Sequence, residues 1–218
     1  MRCRRGFGAA FVLPLVAAVT VPPVAAAQGG PRVGVSASGA EVLVRSVTPS
    51  ATGSLRGIVL GGRGRFTWGR IFFRAGYDQG TLRPTTPGIG KRDFVEAFAL
   101  LGTNPIAGLR VAVGPYARAY VTDSTTQRWI YWEVRLGYET ALGAPWAHAY
   151  GSVWGIVAGT VNVAEAMTGG RGGTAGIRTL LGPLALDLSY AIDESRFGTS
   201  VRRETVQAIR LAVGMGVP

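Results

Sequence analysis

The sequence is poor in the residues from which most compact sites are built. It has one cysteine, one histidine and one lysine, Lys91, in 218 residues, beside 22 arginines. A single cysteine excludes a disulfide framework and cysteine-based zinc clusters, and the single histidine, His148, excludes multi-histidine metal centres. Charged residues make up only 16% of the chain and hydrophobic residues 47%, which excludes a disordered polyelectrolyte. The 33 glycines are spaced irregularly, so the chain is not collagen-like. Beyond residue 30 there is no window of eighteen uninterrupted apolar residues, which excludes a helical membrane protein. The length fits one barrel or sandwich with a sizeable core.

The first residues read as an export signal. Met1-Arg-Cys-Arg-Arg5 is a basic start, residues 7–24 are apolar but broken by Pro14, Pro22 and Pro23, and Ala25-Ala26-Ala27 offers small residues for cleavage before Gln28. The expected division is a leader over 1–27, carrying Cys3, and one domain over 28–218. The mature chain would then hold no cysteine and a formal charge of +8, from 20 basic against 12 acidic residues.

From there the dominant period is two. Ile130, Trp132, Val134, Leu136 and Tyr138 alternate with Trp129, Tyr131, Glu133, Arg135, Gly137 and Glu139. Leu184, Leu186, Leu188, Tyr190 and Ile192 alternate with Ala185, Asp187, Ser189 and Asp193, and the same holds around Ile71–Tyr77, Leu109–Val113 and Ile209–Val217. Each run is a strand with two unlike faces. The pattern predicts about ten strands, near 33–47, 54–68, 70–79, 92–103, 108–121, 128–141, 146–158, 172–182, 184–193 and 203–217, with eight as the alternative. Every second connection is short. Three of the short ones share a Leu-Gly-to-Pro pattern: Leu101-Gly102 with Pro105, Leu142-Gly143 with Pro145, and Leu181-Gly182-Pro183. Tight turns therefore collect at one end, and the longer connections 48–53, 80–91, 122–127, 159–171 and 194–202 at the other.

An export signal, an even number of alternating strands, tight turns at one end and polar loops at the other together resemble the small outer-membrane β-barrel proteins of Gram-negative-type bacteria. The resemblance covers nearly all of residues 30–218 and rests on pattern, without a family-specific motif. It implies an all-β, single, closed, antiparallel transmembrane barrel in the cell outer membrane, with tight turns and termini in the periplasm. Outer-membrane lipid and the outer-membrane assembly machinery are the implied partners, although such barrels usually end in an aromatic residue and this sequence ends Met215-Gly-Val-Pro218. A soluble, lipocalin-like ligand-binding barrel would show the same alternation with the apolar face turned inward. Three features favour lipid: rings, glycines and charges share the mixed face, arginine replaces lysine almost completely, and Trp68, Trp132, Tyr138 and Tyr190 lie on the apolar face.

The inward phase then carries Glu41, Arg45, Arg63, Arg65, Arg70, Arg74, Asp78, Glu96, Arg110, Arg118, Glu133, Arg135, Glu139, Arg178, Asp187 and Arg210. Opposite signs at these positions predict a narrow lumen plugged by ion pairs, and hence a non-enzymatic structural or surface-interaction barrel; a narrow anion-preferring pore is the alternative. The arginines form no stripe, so no nucleic-acid partner is expected. The loop arginines Arg171, Arg196, Arg202 and Arg203 are candidates for lipopolysaccharide phosphates. Barrel enzymes need named groups: omptin-type proteases use aspartates with a His–Asp pair at the outer rim, and lipid A deacylases use a His–Ser–acid set. Here His148, Ser152 and Glu139 form such a set only in projection, at the turn end, and neither motif is matched. No cofactor or metal is expected; Asp123, Asp193 and Glu194 are the isolated rim carboxylates a cation would use. Gly169-Gly170-Arg171-Gly172-Gly173 reads as a flexible loop, Gly61-Gly62-Arg63-Gly64 as a bulge or a close approach, and 162–167 as one helical turn.

Overall fold

The computed structural model describes residues 30–122, 124–162, 166–198 and 201–216. The expected leader over 1–27 and Asp123 lie outside these residues. Ten antiparallel strands follow one another: β1 (Arg32–Val47), β2 (Thr52–Trp68), β3 (Ile71–Pro84), β4 (Arg92–Thr103), β5 (Leu109–Val121), β6 (Thr126–Ala141), β7 (Ala147–Val161), β8 (Met167–Leu181), β9 (Leu184–Phe197) and β10 (Arg203–Gly216). Each pairs with its sequence neighbours, and β1 pairs with β10 from Gly34↔Gly216 to Val47↔Arg203, so the barrel closes. Closure leaves no strand edge with unpaired N–H and C=O groups, the condition for crossing hydrocarbon.

All four connections at one end are tight, two to five residues long, and Gly143 and Gly182 adopt the left-handed region there (φ 74° and 62°). A side chain would be strained at that angle, which is why the Leu-Gly pattern marks these turns. At the other end the connections have four to seven residues, shorter than the sequence suggested, because the strands run further. β3 continues to Pro84, β9 to Phe197, and β8 begins at Met167. The glycine-rich segment 169–173 is therefore not a loop but part of β8, paired with β9 throughout and with β7 from Arg171 onward.

The wall has two zones. In the turn-end zone the outward positions are apolar and strongly exposed: Leu60 64%, Trp68 69%, Leu188 55% and Leu211 58%. Along β10 they run Met215, Val213, Leu211, Ile209; along β9, Leu184, Leu186, Leu188, Tyr190, Ile192. These four and five alternate positions span seven and nine residues, close to the ~9–11 that a tilted strand needs to cross the hydrocarbon core. Nearer the loops the polarity inverts. Outward positions become Glu41, Arg45, Arg56, Gln79, Thr81, Arg83, Glu194, Arg196, Thr205 and Gln207, while inward positions become Val42, Val44, Leu55, Val59, Leu82, Phe94, Trp129 and Phe197, all buried. Glu41 and Arg45 thus lie on the outer wall and not in the lumen. They sit in β1 just where the apolar face changes sides, so the alternation there gives the wrong phase.

Candidate functional site: the lumen

Inward side chains stack in three layers. At the loop end, Val42, Val44, Leu55, Val59, Leu82, Phe94, Tyr120, Trp129, Tyr131, Phe197 and Val206 form one buried cluster, with Ile89 of the 85–91 connection and Met167 packed against it. Its rings meet in a chain: Phe94–Tyr120 at 5.5 Å, Tyr120–Trp129 at 5.5 Å and Trp129–Phe197 at 5.2 Å between centroids. Phe197 also carries the guanidinium of Arg202 at 4.2 Å, so Arg202 belongs to this seal and not to the outer surface. Tyr120 donates to buried Glu204 at 2.6 Å. Glu204 opens β10 on the loop side of the apolar belt, and burial pushes its carboxyl above the usual carboxylate range despite that hydrogen bond.

Below the seal lies a charged layer. Arg118 bridges Glu96 at 2.6 Å and Asp193 at 2.7 Å, all three buried. Arg210 grips Asp78 with two nitrogens at 2.7 and 3.0 Å and donates to the Ser38 hydroxyl at 2.8 Å. Arg63 reaches the same aspartate at 3.3 Å. β3 can place Asp78 there because Gly61 faces it from β2: a Cβ on Gly61 would stand 1.7 Å from the Asp78 Oδ1. The Gly61–Gly64 segment is thus a close approach without a register break; among the described residues the register shifts at Trp132/Glu133 and Met167/Gly169. Arg135 pairs with Glu133 at 2.9 Å and stacks over the Trp154 ring at 4.3 Å.

The third layer, at the turn end, is richest in arginine. Glu139 joins Arg110 at 2.5 Å and Arg178 at 3.1 Å; Arg178 also reaches Asp187 at 3.1 Å, and Tyr150 donates to Asp187 at 2.6 Å. Arg65 lies over Phe72 at 4.7 Å and Arg74 over Phe98 at 5.4 Å. His148 holds the Pro145 carbonyl at 2.9 Å with one nitrogen and faces Glu139 at 3.6 Å with the other. A cavity of about 190 Å³ opens through this layer.

Of the residues assigned to the lumen, Arg74, Asp78, Glu96, Arg110, Arg118, Glu133, Arg135, Glu139, Arg178, Asp187 and Arg210 are there. Glu41 and Arg45 are not: Glu41 pairs with Arg56 on the outer wall. Arg70 lies exposed in the β2–β3 turn and reaches the Pro105 carbonyl. The rim carboxylates do not converge, since Asp193 is sealed against Arg118 while Glu194 faces outward to Arg196 at 2.7 Å. Among the described residues no group of three or more His, Cys, Asp or Glu is disposed to hold a metal ion. Sequence reasoning missed Ser38 and Glu204. Their signal was phase alone, and β1 and the loop end of β10 lack clean alternation.

No protein family's sequence profile matches the chain, and no curated protein is found to be similar. Solved structures are. The outer-membrane protease OmpT from Escherichia coli superposes with a TM-score of 0.53 at 7% identity, over 87% of this chain and 97% of that one. The chain has the fold of a bacterial outer-membrane β-barrel. Neisserial surface protein A (TM-score 0.40, 12% identity, 86% of this chain and 99% of that) and the translocator domain of the autotransporter NalP from Neisseria meningitidis (0.47, 13%, 87% and 90%) are also similar. Fold and apolar belt together locate the barrel in the cell outer membrane.

Proposed function

We propose that this barrel neither conducts nor catalyses, and serves a structural or surface-contact role in the outer membrane. The observation that carries the reading is the seal: eleven of the twelve residues of the buried loop-end cluster have bulky side chains, and they fill the bore above the charged layers. A ten-stranded bore is far narrower than the 16-stranded porins that keep an aqueous channel, and apolar side chains in contact leave no hydrated path for ions.

An enzymatic reading has little to stand on. The sole histidine is at the turn end, tied to a turn carbonyl and to Glu139, which already holds two arginines. The outer wall just above the belt carries Arg45, Arg56, Arg83, Arg171 and Arg196. At that height they would meet lipid headgroup phosphates, so lipopolysaccharide is the proposed partner of this band and outer-membrane lipid that of the belt.

Planar-bilayer recording of the folded barrel tests the reading. The expected result is no steady conductance, with His148→Ala indistinguishable from wild type in any peptide- or lipid-hydrolysis assay. A stable conductance whose ion selectivity changes in Arg110→Gln or Arg135→Gln would establish the pore instead.

A further inference from the structure

On the outer wall, β8, β9 and β10 bring three exposed arginines around one carboxylate. Glu194 stands opposite Arg171 of β8, binds Arg196 at 2.7 Å and has the Arg203 Nε 3.9 Å away. Arg203 and Arg196 are themselves direct register partners, and like charges set opposite one another destabilise a sheet. Among the described residues no second carboxylate comes within ion-pair distance of the three. In bulk water such a cluster would cost little, because exposed charges are well screened. Its height on the wall gives it a partner.

One step further down the strand the wall is already apolar. Ile192, two residues before Glu194, is 41% exposed and belongs to the belt, so the arginines stand at the border of hydrocarbon and headgroups. Beneath Arg171 the wall is also low. Gly173 and Ala175 continue its face of β8, and Gly155 and Gly151 lie beside that face on β7. The inward glycines of β8 make room for rings; these outward ones do not. A Cβ on Gly155 would meet nothing within 4 Å, and on Gly151 or Gly173 nothing closer than 3.7 or 3.4 Å. Packing within the barrel does not require them, and their effect is on the outside. They leave a shallow furrow that runs down from the arginines, edged by Ile192 and Tyr190 of β9 on one side and Val153 of β7 on the other.

We propose that this part of the wall seats one phosphate-bearing glycolipid of the outer leaflet, with a phosphate between Arg171, Arg196 and Arg203 and an acyl chain laid in the furrow. Guanidinium forks match phosphate oxygens in geometry, and a phosphate separates the two opposed arginines with negative charge. The furrow is why the phosphate is lipid-borne and not free. It leads from the arginines straight into the belt and gives an apolar chain a contact that a free anion would not use. The seat rests on the reading of the arginine band as a lipopolysaccharide contact, and narrows that contact from a band to one stoichiometric place.

The test is native mass spectrometry of the folded full-length barrel, released from an uncharged detergent and titrated with bisphosphorylated lipid A or with the same lipid stripped of its phosphates. One lipid A per barrel is expected, bound roughly tenfold tighter than the stripped lipid, as one or two charge-assisted hydrogen bonds imply. Arg171→Gln combined with Arg196→Gln should abolish that preference. Gly173→Leu fills the furrow and leaves every charge in place; it should weaken lipid A about fivefold through lost apolar contact. Arg83→Gln, elsewhere in the band, and Gly64→Leu, elsewhere on the belt, should change neither lipid. Should Gly173→Leu lose the heat-modifiable folded band on gels, Gly151→Leu takes its place with the same loss required. Equal weakening by Arg83→Gln, or binding indifferent to the furrow variant, overturns the seat and leaves a diffuse band contact standing. Equal retention of the two lipids by the unaltered barrel overturns the seat and the band reading together.

Discussion

At the scale of single residues, Asp78 holds the middle of the lumen together, and Gly61 is the reason it can. Removing the carboxylate strands Arg210, which is itself buried. Breaking a buried pair in this way costs about 3–5 kcal/mol, and Asp78→Ala should lose that much stability in urea unfolding of the lipid-reconstituted barrel. Gly61→Ala should come close to it with no charge removed, because its Cβ would occupy the position of the Asp78 Oδ1. The two losses should not add in the double variant, since both act through one contact. Glu204 behaves differently. Its carboxyl titrates above the usual range in the folded barrel because it is buried. The folded state thus binds this proton more tightly than the unfolded one does, and the contribution to stability is lost as pH rises from the unfolded value through the folded one. Glu204→Gln still accepts the Tyr120 hydrogen bond without burying a charge. It should match wild type at low pH and exceed it at neutral pH; a constant offset across the range would refute the assignment.

At the scale of strands, the recurring device is a large inward ring laid over a glycine of the neighbouring strand. Phe98 covers Gly76, Trp154 covers Gly172, and Tyr150 covers Gly176. In each case a Cβ on the glycine would stand 2.3–2.6 Å from the ring. A double-mutant cycle isolates the effect at Gly76, whose close neighbours are all side-chain atoms. Gly76→Ala should destabilise by about 1–3 kcal/mol through overpacking, and the penalty should largely vanish in a Phe98→Ala background. This device explains what the sequence disclosed and what it hid. β3, β5, β6, β9 and β10 were readable because their outward residues meet lipid over four or five successive positions, so the period of two is clean. The 169–173 segment was not, because Gly172 lies under the Trp154 ring and Gly170 against Ile156, both far earlier in β7, and no local pattern carries that register. β1 misled for another reason. Val42 and Val44 pack into the seal on one face while Leu43 lies on the other, so Glu41 and Arg45 drop out of phase with the charges below.

At the scale of the whole molecule, the strands are longer than a bilayer needs. The 17 residues of β2, at roughly 3.3 Å each and tilted ~40°, give a wall about 43 Å tall, whereas the apolar band of such barrels is about 25 Å. Trp68 closes β2 at the turn end, where interfacial aromatic residues sit, so nearly all the excess projects beyond the opposite face of the membrane. That projection is an ordinary soluble barrel in its chemistry, with polar residues outside and an apolar core within, standing on a membrane barrel of the reverse polarity. The apolar side of the alternation therefore faces outward in the belt and inward in the projecting zone. Single cysteines locate the border. Thr81→Cys and Thr205→Cys should react with a membrane-impermeant maleimide added outside intact cells, and Leu60→Cys and Leu211→Cys should not. Labelling of all four would put the belt in water and dissolve the two-zone wall. Labelling of the first pair only after the outer membrane is broken would turn the barrel over, placing the seal toward the periplasm and the arginine cavity toward the outside.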